Sequence, residues 1–418
     1  MYNILLMKLI YRIGFVLAFI AVLTAIIAFA RGYRIDLEKQ SLTPTGIIAI
    51  SAYPKASKVY INGQLKGVSD INLTLPPGTY EVEVKKDGYT NWGKKVLLKG
   101  ELVLVLDALL YPLNPSLSPL TNLAVSRAIP IPQSDKVLLF SEQEDELKDG
   151  IYLFESNNYP LSFFTPLKLI VLKKNLAASL GSFSFKETEV DVSPDAKEAV
   201  FGFKTLSGKI TYLLTLANEN LSFFDISTSK ETLIQAWSSQ KEELNRKILE
   251  AYPKEIAKVA SDSFHVVEFS PDETKLLYLA KKSTILPQAI TPALIAVNQT
   301  AEVRNIEENS LYVYDKKEDR NYEIQISNTK FLIPNKIGNW KLEIGNSISW
   351  YSDSKHLVIN EGKKISFIDY DNQNKQTVFS GAFDEFFFKV GSDGKILILT
   401  NLNPDTNKFP DLYAVGIR

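Results

Sequence analysis

The 418-residue sequence contains no cysteine, so it can form neither a disulfide nor a thiolate metal site, and its stability rests on packing. Histidine is nearly as scarce. His265 and His356 are too few for a histidine-based metal centre, and each lies beside an apolar run, where an ordinary strand histidine is the simplest reading. Neither sign of charge dominates: 47 Lys and Arg stand against 48 Asp and Glu. A net charge of -1 supplies no field of the kind that condenses a protein onto nucleic acid, so nucleic acid is not expected as a partner. The Gly-x-Ser-x-Gly and His-Glu-x-x-His signatures are missing, as is the complete phosphate-loop signature ending in Lys-Ser or Lys-Thr. No catalytic, cofactor-binding or metal-binding residue is therefore assigned, and the chain reads as non-enzymatic with no cofactor.

Long apolar runs are also lacking, with one exception. Ile13 to Ala30 is 18 residues in which Thr24 is the only clearly polar side chain. As a helix it would measure roughly 27 Å, close to the hydrocarbon thickness of a bilayer. Residues 1–34 are read as an N-terminal transmembrane signal-anchor, and the alternative is a cleaved signal peptide, since Ala28-Phe29-Ala30 has the small-x-small form of a cleavage site. Lys8 and Arg12 precede the run while Arg31, Arg34 and Lys39 follow it, so positive charge does not choose an orientation. Residues 35–45 form a charged, proline-containing linker.

Beyond the linker the apolar period changes to two. Short strands are expected at Ile47 to Ala52, Ser57 to Ile61, Asn72 to Leu75, Thr79 to Lys85 and Lys94 to Leu98. Asn62-Gly63, Pro76-Pro77-Gly78 and Asp87-Gly88 supply the turns between them. A small β-sandwich over residues 46–110 follows. Pro54-Lys55-Ala56-Ser57 with Asn62-Gly63, Gly67, Leu75-Pro76-Pro77-Gly78-Thr79-Tyr80 and Asp87-Gly88-Tyr89 make this stretch resemble the PEGA domain, with Lys55-Ala56-Ser57 where Glu-Gly-Ala is usual. That resemblance implies a non-catalytic β module of bacterial surface proteins, and it places the C-terminal bulk outside the cytoplasm. Tyr89 and Trp92 are read as core aromatics rather than a glycan platform.

From residue 111 onward one phrase recurs: an apolar run, a turn built on Ser and Asp, a Lys, then a second apolar run. It occurs as Gln133-Ser134-Asp135-Lys136, Ser193-Pro194-Asp195-Ala196-Lys197, Ser270-Pro271-Asp272-Glu273-Thr274-Lys275, Ser352-Asp353-Ser354-Lys355 and Ser392-Asp393-Gly394-Lys395. Third strands rich in aromatics follow, as at Ile151 to Phe154 and Leu311 to Tyr314. Such units resemble the blades of a TolB-type β-propeller, related to the WD-repeat propellers, and the likeness implies five to seven blades over residues 111–418. Only Gly394 keeps the glycine usual after the turn Asp; Lys136, Ala196, Glu273 and Ser354 depart, so some of these turns are expected to avoid the left-handed conformation. The last phrase leaves its sheet one strand short, and a segment between Leu102 and Arg127 is expected to fill that place and close the ring.

Spacing between phrases exposes an insertion. Lys230 to Tyr252 has helical periodicity, Pro253 stops it, and the helical insertion spans about 230–258. Its apolar stripe, Leu233, Trp237, Leu244, Ile248 and Tyr252, either packs on the propeller or docks a partner. Asp369 to Asn374, Asn401 to Asp405 and the acidic run Glu142 to Asp149 are read as hairpin tips rather than calcium loops. The fold class is mainly β: a transmembrane helix, a PEGA-like β-sandwich and a β-propeller with a helical insertion. The expected role is a cell-membrane, single-pass, extracytoplasmic binding or scaffold protein of the bacterial envelope, contacting a protein partner or cell-wall polymer. The alternative is an accessory recruiting or sensing subunit of an envelope peptidase or glycan-processing complex.

Overall fold

The computed structural model describes residues 2–30, 32–36, 41–156, 167–295, 298–326, 347–405 and 407–417. The chain divides into two compact units, one of Met1–Leu110 with Leu294–Gln299 and the other of Tyr111–Ala293 with Thr300–Arg418.

The first unit begins with helix α1 (Tyr2–Ala30), whose stretch Tyr11–Ala30 is long and apolar enough to cross a membrane. Phe15, Phe19 and Ile26 are each more than half exposed, at 75%, 61% and 59%, so among the described residues the stretch Tyr11–Ala30 lies largely uncovered by protein. The described part of the linker pairs Tyr33–Asp36 with Ser41–Pro44 as an antiparallel ribbon, while linker residues 37–40 lie outside the described residues. Two sheets then build the β-sandwich. One is four-stranded, in the order Gln64–Val68, Lys58–Ile61, Gly78–Lys85, Trp92–Leu98. The other has Gly46–Tyr53 between Ile71–Leu75 and Val103–Leu109, the last pairing parallel. Period-two alternation turns Ile48, Ile50, Val82, Val84, Val96 and Leu98 inward around a single core. Asn62 and Gly63 both take positive φ, 50° and 75°, as a two-residue hairpin turn requires.

The second unit is a β-propeller, with five four-stranded antiparallel sheets among the described residues. Blade 1 runs Val125–Pro130, Lys136–Ser141, Gly150–Glu155, Leu167–Leu172, and helix α2 (Lys173–Leu180) follows it. Blade 2 runs Glu189–Val192, Glu198–Thr205, Gly208–Thr215, Phe224–Asp225, and blade 3 runs Phe264–Phe269, Lys275–Ala280, Leu311–Asp315, Arg320–Glu323. Blade 4 runs Ile348–Trp350, His356–Asn360, Lys364–Asp369, Gln376–Ser380. Blade 5 contributes Phe388–Val390, Ile396–Thr400 and Asp411–Gly416, and its fourth strand is Ser116–Pro119 from the beginning of the unit. The expected closure is therefore present: Leu117 sits opposite Val415, and the Asp411 carboxylate accepts from Thr121 Oγ1 and Leu123 N at 3.0 and 2.7 Å.

The Ser-Asp turns join the first and second strands, and of the four that depart from glycine only the one at Lys136 avoids the left-handed conformation at that position. Ala196, Glu273 and Ser354 all adopt the left-handed conformation, with φ of 54°, 55° and 60°, alongside Gly394 at 79°. Side-chain oxygens hold the turn in place of glycine's freedom. In each case the Asp Oδ1 accepts the N–H two residues on, as at Lys197 (3.2 Å), Thr274 (3.1 Å), Lys355 (2.9 Å) and Lys395 (3.0 Å). Ser193 and Ser270 donate to that same oxygen at 2.7 Å. These bonds offset the roughly 1–2 kcal/mol that a side chain costs in this conformation. Ala56, at the usual glycine of the PEGA tetrapeptide, is left-handed as well, at 57°. In the first phrase positive φ falls instead on Gln133, before the Asp.

Turns also link neighbouring blades. Asp272 N donates to Ser354 Oγ (3.0 Å), Tyr351 Oη to the Gly394 carbonyl (3.1 Å) and Ser392 N to Asp135 (3.0 Å), which joins blades 3 to 4, 4 to 5 and 5 to 1. Blades 1 and 2 share one core through Phe140, Phe185, Phe201 and Phe203. Between blades 2 and 3 stand helices α3 (Lys230–Leu249) and α4 (Lys254–Ser263). The insertion is thus two helices where one was expected. Pro253 does stop the first, but its fixed φ also suits the start of the second, for which it is the N-cap residue.

Candidate functional site

The first strands of the blades touch one another, which makes them the inner strands of the propeller. Arg127 of blade 1 donates to the carbonyls of Phe185 and Thr188 at the entry to blade 2. Glu268 of blade 3 accepts from Ser349 Oγ (2.9 Å) and Trp350 N (3.0 Å) of blade 4 through one oxygen, Oε2. Lys389 of blade 5 donates to the Ile131 carbonyl of blade 1 at 3.0 Å. Alternating strands would ordinarily keep such groups out of a core, and here they gather at the one place where five sheet edges converge. Burial dominates their titration. It raises the Glu268 pKa against its two hydrogen bonds and the charges of Lys389 and Lys241, and it lowers that of Lys389 despite Glu268 and Asp135.

Helix α3 lies against this inner face. Its first residue, Lys230, bonds Glu189 at 3.0 Å, and Glu189 also accepts from Lys209; these bonds hold the Glu189 carboxyl below its ordinary pKa, against burial. Arg246 is bidentate to Glu243 (2.8 and 2.7 Å) and reaches forward to Glu250 at 2.6 Å, which stabilises the exposed face. At the other end Leu249 and Tyr252 enter the core of blade 3 with Ile256, Phe269, Tyr278 and Tyr314. Anchored at both ends, the middle of α3 roofs a cleft of about 200 Å³. Its walls are Ile129, Pro130, Pro132 and Gln133 of blade 1, Val190 to Pro194 of blade 2, and Ile234, Trp237, Ser238, Lys241, Leu244 and Asn245 of the helix.

The five stripe residues named from the sequence therefore separate. Trp237 and Leu244 line the cleft, Trp237 half-buried and Leu244 41% exposed. Leu233 and Ile248 are half-buried outside it, and Tyr252 is 4% exposed, its hydroxyl donating to the Glu273 carbonyl at 3.3 Å. Tyr252 belongs to the core and is not available to a partner. Sequence reasoning missed Ile234, Lys241 and Asn245 on the same helix, and every residue of blades 1 and 2 that completes the cleft. The spacing 234, 237, 241, 244, 245 was a signal, one face of a 3.6-residue helix that mixes apolar and polar side chains.

Other singled-out residues sit in structural roles. His356 is 4% exposed, with Nδ1 2.7 Å from Asp353 and Nε2 3.3 Å from Asp369. Burial alone would lower its pKa, but the two carboxylates override it and push it up to about 10. Asp369 also accepts from Asn374 at 2.9 Å and Asp371 from Thr300 at 2.6 Å, so the amide-rich tip is tied internally. Asp149 of the acidic run pairs with Lys173 at 3.4 Å. Among the described residues no group of three or more His, Cys, Asp or Glu could hold a metal ion. Trp92 is buried in the sandwich core with Tyr89 packed against it. Gly88 to Lys94 has the Gly-x-x-x-x-Gly-Lys spacing, but Lys95 follows, and Trp92–Leu98 is a strand rather than the helix whose N-terminus would receive a phosphate.

No curated protein matches this sequence. Solved structures similar to the chain include a TolB-type protein from Agrobacterium tumefaciens (11% identity, 68% of this chain and 76% of that one, TM-score 0.21). TolB from Acinetobacter baumannii is similar at 10% identity, over 81% of this chain and 61% of its own, with a TM-score of 0.23. An acylaminoacyl peptidase from Pyrococcus horikoshii is similar at 12% identity, over 67% of this chain and only 36% of its own, with a TM-score of 0.17. The family comparison is confined to the β-sandwich: residues 45–112 are a PEGA domain.

Proposed function

We propose that this chain is a membrane-anchored, extracytoplasmic binding or scaffold protein of the bacterial envelope, and that it performs no chemistry of its own. The observation that carries the reading is an uncovered apolar helix, Tyr11–Ala30, followed directly by the PEGA domain of residues 45–112. An apolar helix largely uncovered by protein is what lipid covers, and PEGA domains are modules of extracytoplasmic proteins. In the propeller, His356, the histidine with the strongest carboxylate partners, serves to bridge Asp353 and Asp369 within a blade and is not presented to a substrate. What the propeller does present is the inner face under α3, where polar groups and a cleft meet. Repeat architectures of this kind expose loops and inner edges for recognition.

Protease added to intact cells tests the topology. Digestion of residues 45–418 without lysis, leaving a membrane-embedded fragment, is the expected result. Protection until the cells are lysed would place the propeller in the cytoplasm and overturn the reading.

A further inference from the structure

The cleft under α3 contains one carboxylate that the fold pairs only at long range. Asp191, on the inner strand of blade 2, has 35% of its side chain exposed, and no hydrogen bond to it is made among the described residues. Its nearest cation, Lys230, is 3.9 Å away, and that ammonium gives its shorter contact, 3.0 Å, to Glu189. The charges that Asp191 senses are two positive, Lys230 and Lys209, and two negative, Glu189 and Glu231. The carboxylate thus has one long, shared ion pair and lies on the wall of a partly apolar cleft. Burial is the largest influence on its pKa and raises it, as expected of an anion short of partners. The other charge on the cleft wall, Lys241, lies near enough to Glu268 to favour that carboxylate's ionised form. The apolar part of the cleft wall includes Ile129, Val190, Ile234, Trp237 and Leu244, and Gln133, Ser238 and Asn245 line it as well.

We infer that this cleft binds a primary ammonium carried on a compact apolar body, with Asp191 receiving the charge and Trp237 the apolar part. A cavity near 150 Å³ accommodates benzene, so about 200 Å³ suits a phenyl ring with a two-carbon ammonium arm. The indole face adds a cation–π contribution for an ammonium close to it. The inference rests on the binding role proposed above and deepens it by naming what is recognised. The same chemistry could come from a free amine or from the N-terminus of a polypeptide with an apolar first residue.

Titration calorimetry on the full-length protein in detergent tests it, with 2-phenylethylamine as the probe and 3-phenylpropanoate and 3-phenylpropan-1-ol as controls of similar shape. The amine should bind and the acid should not. Asp191→Asn should weaken amine binding roughly tenfold or more, the loss expected of a hydrogen bond to a charged group. Leu244→Trp, which fills the cleft and leaves the charges untouched, should abolish it. A melting curve for each variant establishes that it is folded. Leu-Ala-Ala and its N-acetylated form then separate the sources: binding of the free peptide alone points to a chain terminus, and binding of the small amine without either peptide points to a metabolite. Equal binding of acid and amine, unchanged affinity in Asp191→Asn, or no binding of any amine at millimolar concentration would each overturn the inference. Those failures would leave the protease-accessibility result, and the envelope reading, standing.

Discussion

Buried charge is handled in two ways within the propeller. In the blade walls it is matched by register. The first residue of the second strand faces the last residue of the third, and this places Lys275 Nζ 3.5 Å from Asp315 in blade 3 and His356 between Asp353 and Asp369 in blade 4. Both pairs are nearly inaccessible to solvent, and each half of the pair comes from the same sheet, so forming the sheet forms the pair. Under α3 the charges come from the sheet of blade 2 and from the helix, and Lys230 is shared, 3.0 Å from Glu189 and 3.9 Å from Asp191. Breaking a matched buried pair strands its partner, whereas removing a charge paired only at long range relieves a cost, so the two regions should respond to mutation with opposite sign.

The largest effect is expected in the walls. Asp369→Ala should destabilise the propeller by about 3–5 kcal/mol, read from urea unfolding, since it leaves a buried imidazolium with half its compensation. The pH dependence carries a definite sign. His356 has its pKa raised from 6.5 to about 10 in the folded protein, so it binds its proton more tightly folded than unfolded. Its contribution is fully present below pH 6.5 and is lost as pH rises through about 10. The stability gap between the parent protein and His356→Gln should therefore be wide at pH 6 and narrow by pH 10.5; an unchanged gap would mean the histidine is held neutral.

Helix α3 allows the comparison to be made within one element. Tyr252→Ala should cost about 3–5 kcal/mol, the usual price of an aromatic removed from a core, while Trp237→Ala at the cleft should cost less than about 1 kcal/mol. Similar losses at both positions would show that the roof of the cleft is core. A smaller effect distinguishes the inner face. Asp191→Asn should be neutral or stabilising by up to about 1 kcal/mol, because it removes a desolvated carboxylate without stranding a donor. Smallest of all, Glu273→Gly should stabilise by about 0.5 kcal/mol, the relief of a left-handed side chain exceeding the entropy added to the unfolded chain. Thermal melts resolve that difference.

Much of this fold is legible because it is local. The Ser-Asp phrases mark all five first turns, and the aromatic third strands lie within a residue or two of Ile151 to Phe154, Leu311 to Tyr314 and Leu412 to Val415. The closing strand, Ser116–Pro119, falls within the stretch from Leu102 to Arg127 in which it was expected, and it pairs with Asp411–Gly416. Val103–Leu109 was not readable as a member of the sandwich: its pairing is parallel, with a strand some fifty residues earlier, and no hairpin turn announces it. That three of the four turns without glycine are left-handed was not readable, because glycine is only one way to reach that conformation. Hydrogen bonds from the turn Ser and Asp are another, and their geometry appears only once the turn is closed.

What the sequence by itself determined is the kind of chain: one apolar helix, a small β module with its own turn signatures, and a repeated four-stranded unit. Each of these depends on residues a few positions apart, where steric and hydrophobic periodicity act directly. Tertiary structure alone decided which charges would be paired closely and which only at long range. Asp191 and Trp237 are separated by three strands and the first two turns of α3, and nothing local relates them. The cleft exists because α3 is held at Lys230 by an ion pair and at Tyr252 by a core, and the span between those anchors carries it across the inner strands.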